Sequence, residues 1–150
     1  MENQKQVIDQ VNKIIQTNLD RTAGYEKAKE QAKDPQLRTL FAECSDQSRQ
    51  YVTELKPLVE QFGGQSATET SNAGDMYRVW MDIKTALASN NAKAVLQNCE
   101  KGEDVALNAY NEVTNQQEGM ALSDHRVHQI LNEQHAGIES MHQRIRTLRD

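Results

Sequence analysis

Apolar residues recur along most of the chain at alternating spacings of three and four, which is the period of amphipathic helices. The first such segment covers residues 7–32 and the second covers residues 37–62. Asp34-Pro35 separates them, because aspartate accepts hydrogen bonds at a helix N-terminus and proline fits the first helical position. Gly63-Gly64 favours a left-handed end for the second helix. The short link between the two segments predicts an antiparallel helical hairpin.

Three more helices are predicted after an exposed connection rich in Gly, Ser, Thr and Asn over residues 63–74. They are a short helix over residues 76–87, a longer one over 92–113 and a final one over 127–148. Gly119 breaks the chain between the last two, and Ser123 is the predicted N-cap of the final helix. No segment shows the strict alternation of a strand. The pattern predicts an all-α single domain over residues 1–150, in which two antiparallel hairpins and a long crossover containing a short fifth helix form a ferritin-like four-helix bundle.

Charge and composition narrow the function classes. The formal net charge of −5 does not suit nucleic-acid binding, which requires a basic surface. No apolar run approaches the ~20 residues of a membrane span, and the N-terminal segment lacks the apolar core of a signal peptide, so we expect a cytoplasmic protein. Cys44 and Cys99 fall on apolar helix faces, where a thiol behaves as a small hydrophobe, and we expect them to be unpaired.

All four histidines lie in one C-terminal segment, at spacings of three, seven and seven that would place them along one side of a helix. His125 and His128 lie nearest the preceding turn, and we interpret them as surface residues. The last one closes the sequence Glu139-Ser-Met-His142. A Glu-x-x-His step of this kind supplies metal ligands in ferritin-like carboxylate proteins.

A carboxylate on the preceding helix falls on the same apolar face as Cys99, Ala106 and Tyr110. This is Glu103, and a buried carboxylate persists only with a partner, a proton or a metal ion. Gly102 beside it removes a side chain, which would let another backbone come close. Glu100 lies one turn earlier on the flank of that face.

Counting from the turn near Gly119 places Glu103 level with Gly137, and Glu100 level with Ser140. The resulting candidate metal site would bind iron, manganese or zinc through neutral imidazole and carboxylate groups, and consists of Glu100, Glu103, His135, Glu139 and His142. Two alternatives remain open: solvent-exposed Glu–His pairs, and a buried polar network without metal. The first hairpin offers small polar side chains on its apolar faces that can hydrogen-bond but are weak metal ligands, namely Asn18, Thr22 and Ser48.

Several sequence segments carry a family resemblance: Tyr110, the closing Leu148-Arg149-Asp150, and the segments Ala32-Lys33-Asp34-Pro35-Gln36-Leu37 and Cys99-Glu100-Lys101-Gly102-Glu103-Asp104-Val105-Ala106. With these, the chain resembles bacterial ferritin-like four-helix-bundle proteins catalogued as a domain of unknown function. The resemblance implies the bundle fold but no established reaction.

In that family the first helix often has Asp-Gly-Glu where this chain has Arg21-Thr22. The resemblance therefore implies that Thr22 replaces a carboxylate equivalent to Glu103. A ferritin di-iron site needs a Glu from each of two helices and a Glu-x-x-His from each of the other two. Glu103 and Glu139-x-x-His142 would supply one half, but Thr22 and Ser48 cannot supply the other. A single-metal or empty site is more consistent with these residues than a ferroxidase.

Two hypotheses follow for function. The first is a non-enzymatic bundle that acts through protein partners or stress-related packing, as a homodimer or with another protein. Trp80 and Met76 on the short helix motivate it, because large apolar side chains outside a bundle core mark interfaces. The alternative is a metal-dependent redox or storage protein that uses the five candidate ligands.

Overall fold

The computed structural model describes residues 2–71, 74–114 and 124–150. All regular secondary structure in those ranges is α-helical, which confirms the predicted all-α class. The five helices are α1 (Glu2–Gln31), α2 (Pro35–Gln61), α3 (Asp75–Ala88), α4 (Ala92–Thr114) and α5 (His125–Arg149). None of the helices in the described ranges combines the length and the apolar character needed to cross a membrane.

The helix ends follow the predicted capping chemistry. The Asp34 carboxylate accepts a hydrogen bond from the Gln36 backbone N–H, and Pro35 occupies the first position of α2. Gly63 follows α2 with a φ of +86°, a left-handed conformation that glycine adopts without strain. At the start of α5 the cap is Asp124, whose carboxylate accepts from two backbone N–H groups. The predicted cap Ser123 and the predicted break at Gly119 lie outside the described residues.

Contacts across the bundle give the helix directions. The short link makes α1 and α2 antiparallel. Lys13 pairs with Glu112 and Arg21 pairs with Glu103, so α1 and α4 are also antiparallel. It follows that α2 and α4 run in the same direction, and the connection between them, which contains α3, must return along the length of the bundle.

The second hairpin consists of α4 and α5. These helices are antiparallel, because Glu100 pairs with Arg149 near one end while Tyr110 bonds Gln134 near the other. The helices α2 and α5 touch through fewer residues, and α3 packs against α4 and α1 on the outside of the bundle.

Two apolar clusters fill the interior. One cluster includes Ile14, Leu55, Tyr110 and Leu131, and the other includes Phe41. Most of the other buried apolar residues belong to one cluster or the other. On α1, α2 and α4, buried polar residues lie between the two clusters: Asn18, Arg21, Ser45, Ser48 and Glu103. The bundle therefore contains a polar layer near its middle.

Two expectations about side-chain positions were wrong. A Cβ added to Gly102 would lie 3.1 Å from the Val79 side chain, so the neighbour that this glycine admits is a side chain of α3 and not another backbone. Trp80 and Met76 pack partly against the core. The large apolar side chains that α3 exposes are instead Tyr77, at 44% exposure, and Met81, at 40%.

Candidate functional site

An ion pair lies in the middle of the bundle interior. The Arg21 Nε and Nη2 atoms donate to the two carboxylate oxygens of Glu103 at 2.9 and 2.5 Å. Only 1% of each side chain is exposed. Arg21 occupies an inward position of α1 between Asn18 and Tyr25, and Glu103 occupies the corresponding position of α4. The predicted inward orientation of Glu103 is confirmed, and its partner is a cationic side chain from the other hairpin.

The remaining guanidinium nitrogen of Arg21 also donates hydrogen bonds. Its Nη1 atom donates to the Ser48 hydroxyl at 2.8 Å and to the Cys44 carbonyl at 3.2 Å. The guanidinium carbon lies 5.5 Å from the centre of the Tyr25 ring, a distance suited to a cation–π contact. Burial alone would lower the pKa of Arg21, but the Glu103 carboxylate outweighs it and the net effect raises this pKa. The guanidinium therefore stays charged inside the bundle.

A continuous chain of hydrogen bonds leads from Ser48 to the surface. The Ser48 hydroxyl donates to Asn18 Oδ1 at 2.8 Å, and Asn18 Nδ2 donates to the Tyr110 hydroxyl at 2.8 Å. Tyr110 donates to Gln134 Oε1 at 2.7 Å, and Gln134 Nε2 donates to the exposed Glu54 carboxylate at 2.9 Å. In every bond of this chain the donor is the group nearer Arg21 and the acceptor is the group farther from it. Polar groups of all four long helices are thereby hydrogen-bonded to one another. We call these residues, together with Arg21 and Glu103, the interior network.

The two cysteines lie at the edge of this network and are free thiols. Burial raises the pKa of the Cys44 thiol to about 12, and the charge of Glu103 acts in the same direction. Burial likewise raises the pKa of Cys99. Both thiols are therefore held protonated at neutral pH, as small apolar groups of the core.

The five predicted metal ligands are divided among four separate contacts. Glu103 bonds Arg21, and Glu100 bonds Arg149 at 2.7 Å. His135 lies 3.4 Å from Glu139 on the same helix. The Nε2 atom of His142 lies 2.9 Å from an oxygen of Asp104, which was not among the predicted ligands. In the parts of the chain that the structure describes, no three His, Cys, Asp or Glu side chains converge as they would around a metal ion.

The contacts between α4 and α5 are displaced from the predicted register. The count that placed Glu100 level with Ser140 would also place Tyr110 level with Ile130, but the observed partners are Arg149 and Gln134. Side chains in a helix lean toward its N-terminus. In an antiparallel pair the two leans add, so each side chain meets a residue farther along the partner than backbone levels suggest.

Comparison with protein families matches residues 6–116 of the chain to a family described as Domain of unknown function (DUF2383). The chain belongs to this family. A search of curated proteins found no match. The DUF2383 segment covers α1 from residue 6 onward together with α2, α3 and α4, and it therefore includes Arg21, Ser48 and Glu103. The three predicted metal ligands that lie on α5 are outside the matched segment, namely His135, Glu139 and His142.

Sequence reasoning missed Arg21, which is the central residue of the interior network in this DUF2383 protein. The signal was present, because Arg21 continues the spacing of Ile14, Asn18, Tyr25 and Ala28 along α1. The resemblance singled out Thr22 as the position equivalent to Glu103. The structure places Arg21 opposite Glu103, whereas the Thr22 hydroxyl has no hydrogen-bond partner among the described residues.

Proposed function

We propose that this chain is a ferritin-like bundle that works without a bound metal, as a non-enzymatic protein that acts through contacts with other protein surfaces. Two observations support the fold assignment. The directions of α1, α2, α4 and α5 and the single long crossover that contains α3 agree with the ferritin-like connection pattern, in which two hairpins are joined along the bundle.

The observation that carries the metal-independent assignment is the bidentate Arg21–Glu103 pair. In ferritin-like metal proteins, inward carboxylates from several helices surround a cation in the bundle interior. Here a guanidinium supplies the positive charge and uses both oxygens of Glu103. A metal ion bound to Glu103 would have to displace this guanidinium, which would then be a buried charge without a partner. The donor set around Glu103 therefore fits a metal poorly.

The alternative of an iron, manganese or zinc protein requires more than Glu103. Glu100 would have to leave Arg149, and His142 would have to turn from Asp104 toward the ligands on α4. Each change breaks an existing contact with a charged side chain, Arg149 in the first case and Asp104 in the second. Metal analysis distinguishes the two functions directly.

We expect protein purified without a His tag to contain iron, manganese and zinc in substoichiometric amounts, and its melting temperature to be unchanged by a chelator. Elemental analysis and differential scanning calorimetry make these measurements. The variants are Glu103→Ala and His142→Ala, with His125→Ala as the exposed control. About one equivalent of metal in the wild type that is lost in both variants but kept in the control would overturn the metal-independent assignment.

The outer face of α3 is the surface that we assign to protein contact, and a second copy of the chain is the proposed partner. Tyr77 and Met81 lie one turn apart and are the most exposed large apolar side chains of this helix. Arg78 and Asp82 flank them, also one turn apart. In an antiparallel pairing of two α3 helices, each Arg78 would face Asp82 of the other copy, so the face is self-complementary.

Sedimentation at increasing protein concentration is expected to show a reversible monomer–dimer equilibrium. Arg78→Glu should shift it toward the monomer, and the combined Arg78→Glu and Asp82→Arg exchange should restore the dimer, because it reverses both charges and keeps their complementarity. A wild-type chain that stays monomeric at several hundred micromolar contradicts the proposed pairing.

A further inference from the structure

A shallow groove, partly open to solvent, lies between α1 and the first half of α3. We call it the α1–α3 groove, and the lining residues used below are Asp20, Gly24, Lys27, Met76, Tyr77 and Trp80. Its volume is about 60 Å³. A water molecule needs roughly 10–15 Å³ of such space, so the groove has room for about four to six non-hydrogen atoms. This is the size of one small functional group.

The carboxylate of Asp20 lies in the wall of the groove. It is half-buried, and its Oδ1 atom accepts a hydrogen bond at 2.6 Å from the backbone N–H of Ser71, which also lines the groove. Burial raises the pKa of Asp20. In the described ranges no cationic side chain pairs with this carboxylate, and its Oδ2 atom accepts no hydrogen bond. A desolvated carboxylate without a counter-ion favours a bound cation.

The wall that α3 contributes is aromatic. Tyr77 and Trp80 lie one helical turn apart and both line the groove, with Met76 beside them. On the α1 wall, a Cβ added to Gly24 would have no neighbour within 4 Å, so the space in front of the rings is open. Aromatic rings attract cations through their negative faces, and they prefer cations that are weakly hydrated.

The charges around the groove restrict the ligand class. One carboxylate beside apolar walls suits a metal ion poorly, because hard cations take six or more oxygen ligands. Lys27 lines the groove two turns beyond Asp20, about 10 Å farther along α1 at 1.5 Å per residue. It would repel a second positive charge at that end. A ligand with one positive charge and an apolar shell meets these conditions.

We propose that the α1–α3 groove binds the head of a small quaternary ammonium compound. The cationic head would lie between the Asp20 carboxylate and the rings of Tyr77 and Trp80, and the rest of the molecule would extend into solvent. Trimethylammonium fits the available space, and its methyl groups suit the apolar walls. The inference depends neither on the metal content of the protein nor on its self-association.

Choline and 3,3-dimethyl-1-butanol form a matched pair of probes, because the second has a neutral carbon atom where choline has its charged nitrogen. Trp80 is the only tryptophan of the chain, so its indole N–H gives a single resonance in a proton–nitrogen correlation spectrum. Choline chloride is expected to shift this resonance saturably, with a dissociation constant on the order of 1 mM. The neutral analogue should bind about tenfold more weakly. Sodium chloride at matched concentration controls for ionic strength.

The variant Asp20→Asn removes the charge but keeps an oxygen that can accept from the Ser71 N–H. It is expected to weaken choline binding about tenfold and to leave binding of the neutral analogue unchanged. Asp9→Asn removes the same charge from an exposed position of α1 and should bind choline as the wild type does. Titrations are made at a protein concentration at which sedimentation shows only monomer.

Four results would each overturn the proposal. They are equal binding of the two probes by the wild type, no saturable shift with choline, unchanged choline binding in Asp20→Asn, and an equal loss in Asp20→Asn and Asp9→Asn. The comparison of the two probes uses only the wild-type chain, so it decides the question even if Asp20→Asn fails to fold.

Discussion

Replacing Glu103 with alanine is expected to lower the free energy of unfolding by about 3–5 kcal/mol. The reason is the partner that remains. Arg21 would keep its charge in an interior where only 1% of its side chain reaches solvent, and it would lose the two hydrogen bonds to the carboxylate. The loss should be visible in urea denaturation as a lower midpoint with an unchanged slope.

A double replacement distinguishes the net contribution of the ion pair to the free energy of unfolding from the loss caused by removing only one partner. Arg21→Met should also destabilise strongly, because it leaves the Glu103 carboxylate buried and unpaired. The combined Arg21→Met and Glu103→Leu variant should lie within about 2 kcal/mol of the wild type, since a buried ion pair and a well-packed apolar pair are often similar in stability. Strictly additive losses would show that the two side chains are not coupled.

The surface provides a matched control for this experiment. Glu26 also pairs with an arginine, Arg49, at 2.8 Å, but both side chains are substantially exposed. Hydrogen bonds from Arg49 and Ser45 lower the pKa of Glu26, so any stabilisation it gives is present above its ordinary pKa and is lost as the pH falls through the lowered value. Glu26→Gln should cost less than about 1 kcal/mol. A loss as large as that of Glu103→Ala would contradict the role assigned to burial.

Replacing Gly137 with alanine is expected to destabilise the protein by about 1–3 kcal/mol. A Cβ at this position would lie 2.0 Å from the Tyr51 hydroxyl oxygen, so the ring would have to move away from the core residues on which it packs. The substitution also removes a helical glycine, which by itself would stabilise α5 by about 1 kcal/mol. The steric effect is expected to exceed this gain.

Two further glycine-to-alanine experiments test whether the contact with Tyr51 causes the destabilisation. In a Tyr51→Phe background, Gly137→Ala should cost much less, because the hydroxyl that the methyl group meets is absent. Gly24→Ala should be neutral or stabilising by up to about 1 kcal/mol, because its Cβ meets nothing within 4 Å. If thermal unfolding shows equal effects of alanine at both glycines, helix propensity and not the Tyr51 contact governs these positions.

The helices could be predicted closely from the sequence because the signals for them are local. The apolar spacing of α1 and α2, the capping carboxylate of Asp34 and the glycine after α2 each act within a few residues. The same reasoning identified Glu103 as inward-facing, since its position on the apolar face depends only on the period of α4.

The partner of Glu103 could not be obtained in this way. Arg21 lies 82 residues away in sequence, and only the antiparallel packing of α1 on α4 brings it to the carboxylate. A long cationic side chain on an apolar face can also turn outward to solvent, so its inward position depends on what faces it. The same holds for His142, which meets Asp104 through the lean of two antiparallel helices.

The class of the fold, the ends of most helices and the need for charge compensation inside the bundle could all be derived from the amino-acid sequence. These properties follow from backbone periodicity, caps and the cost of burying a carboxylate. The packing of the helices was needed to show that the compensation comes from Arg21 and that the polar groups continue through Ser48 and Tyr110 to the surface. Those contacts join residues far apart in sequence, and their geometry exists only once the helices have packed.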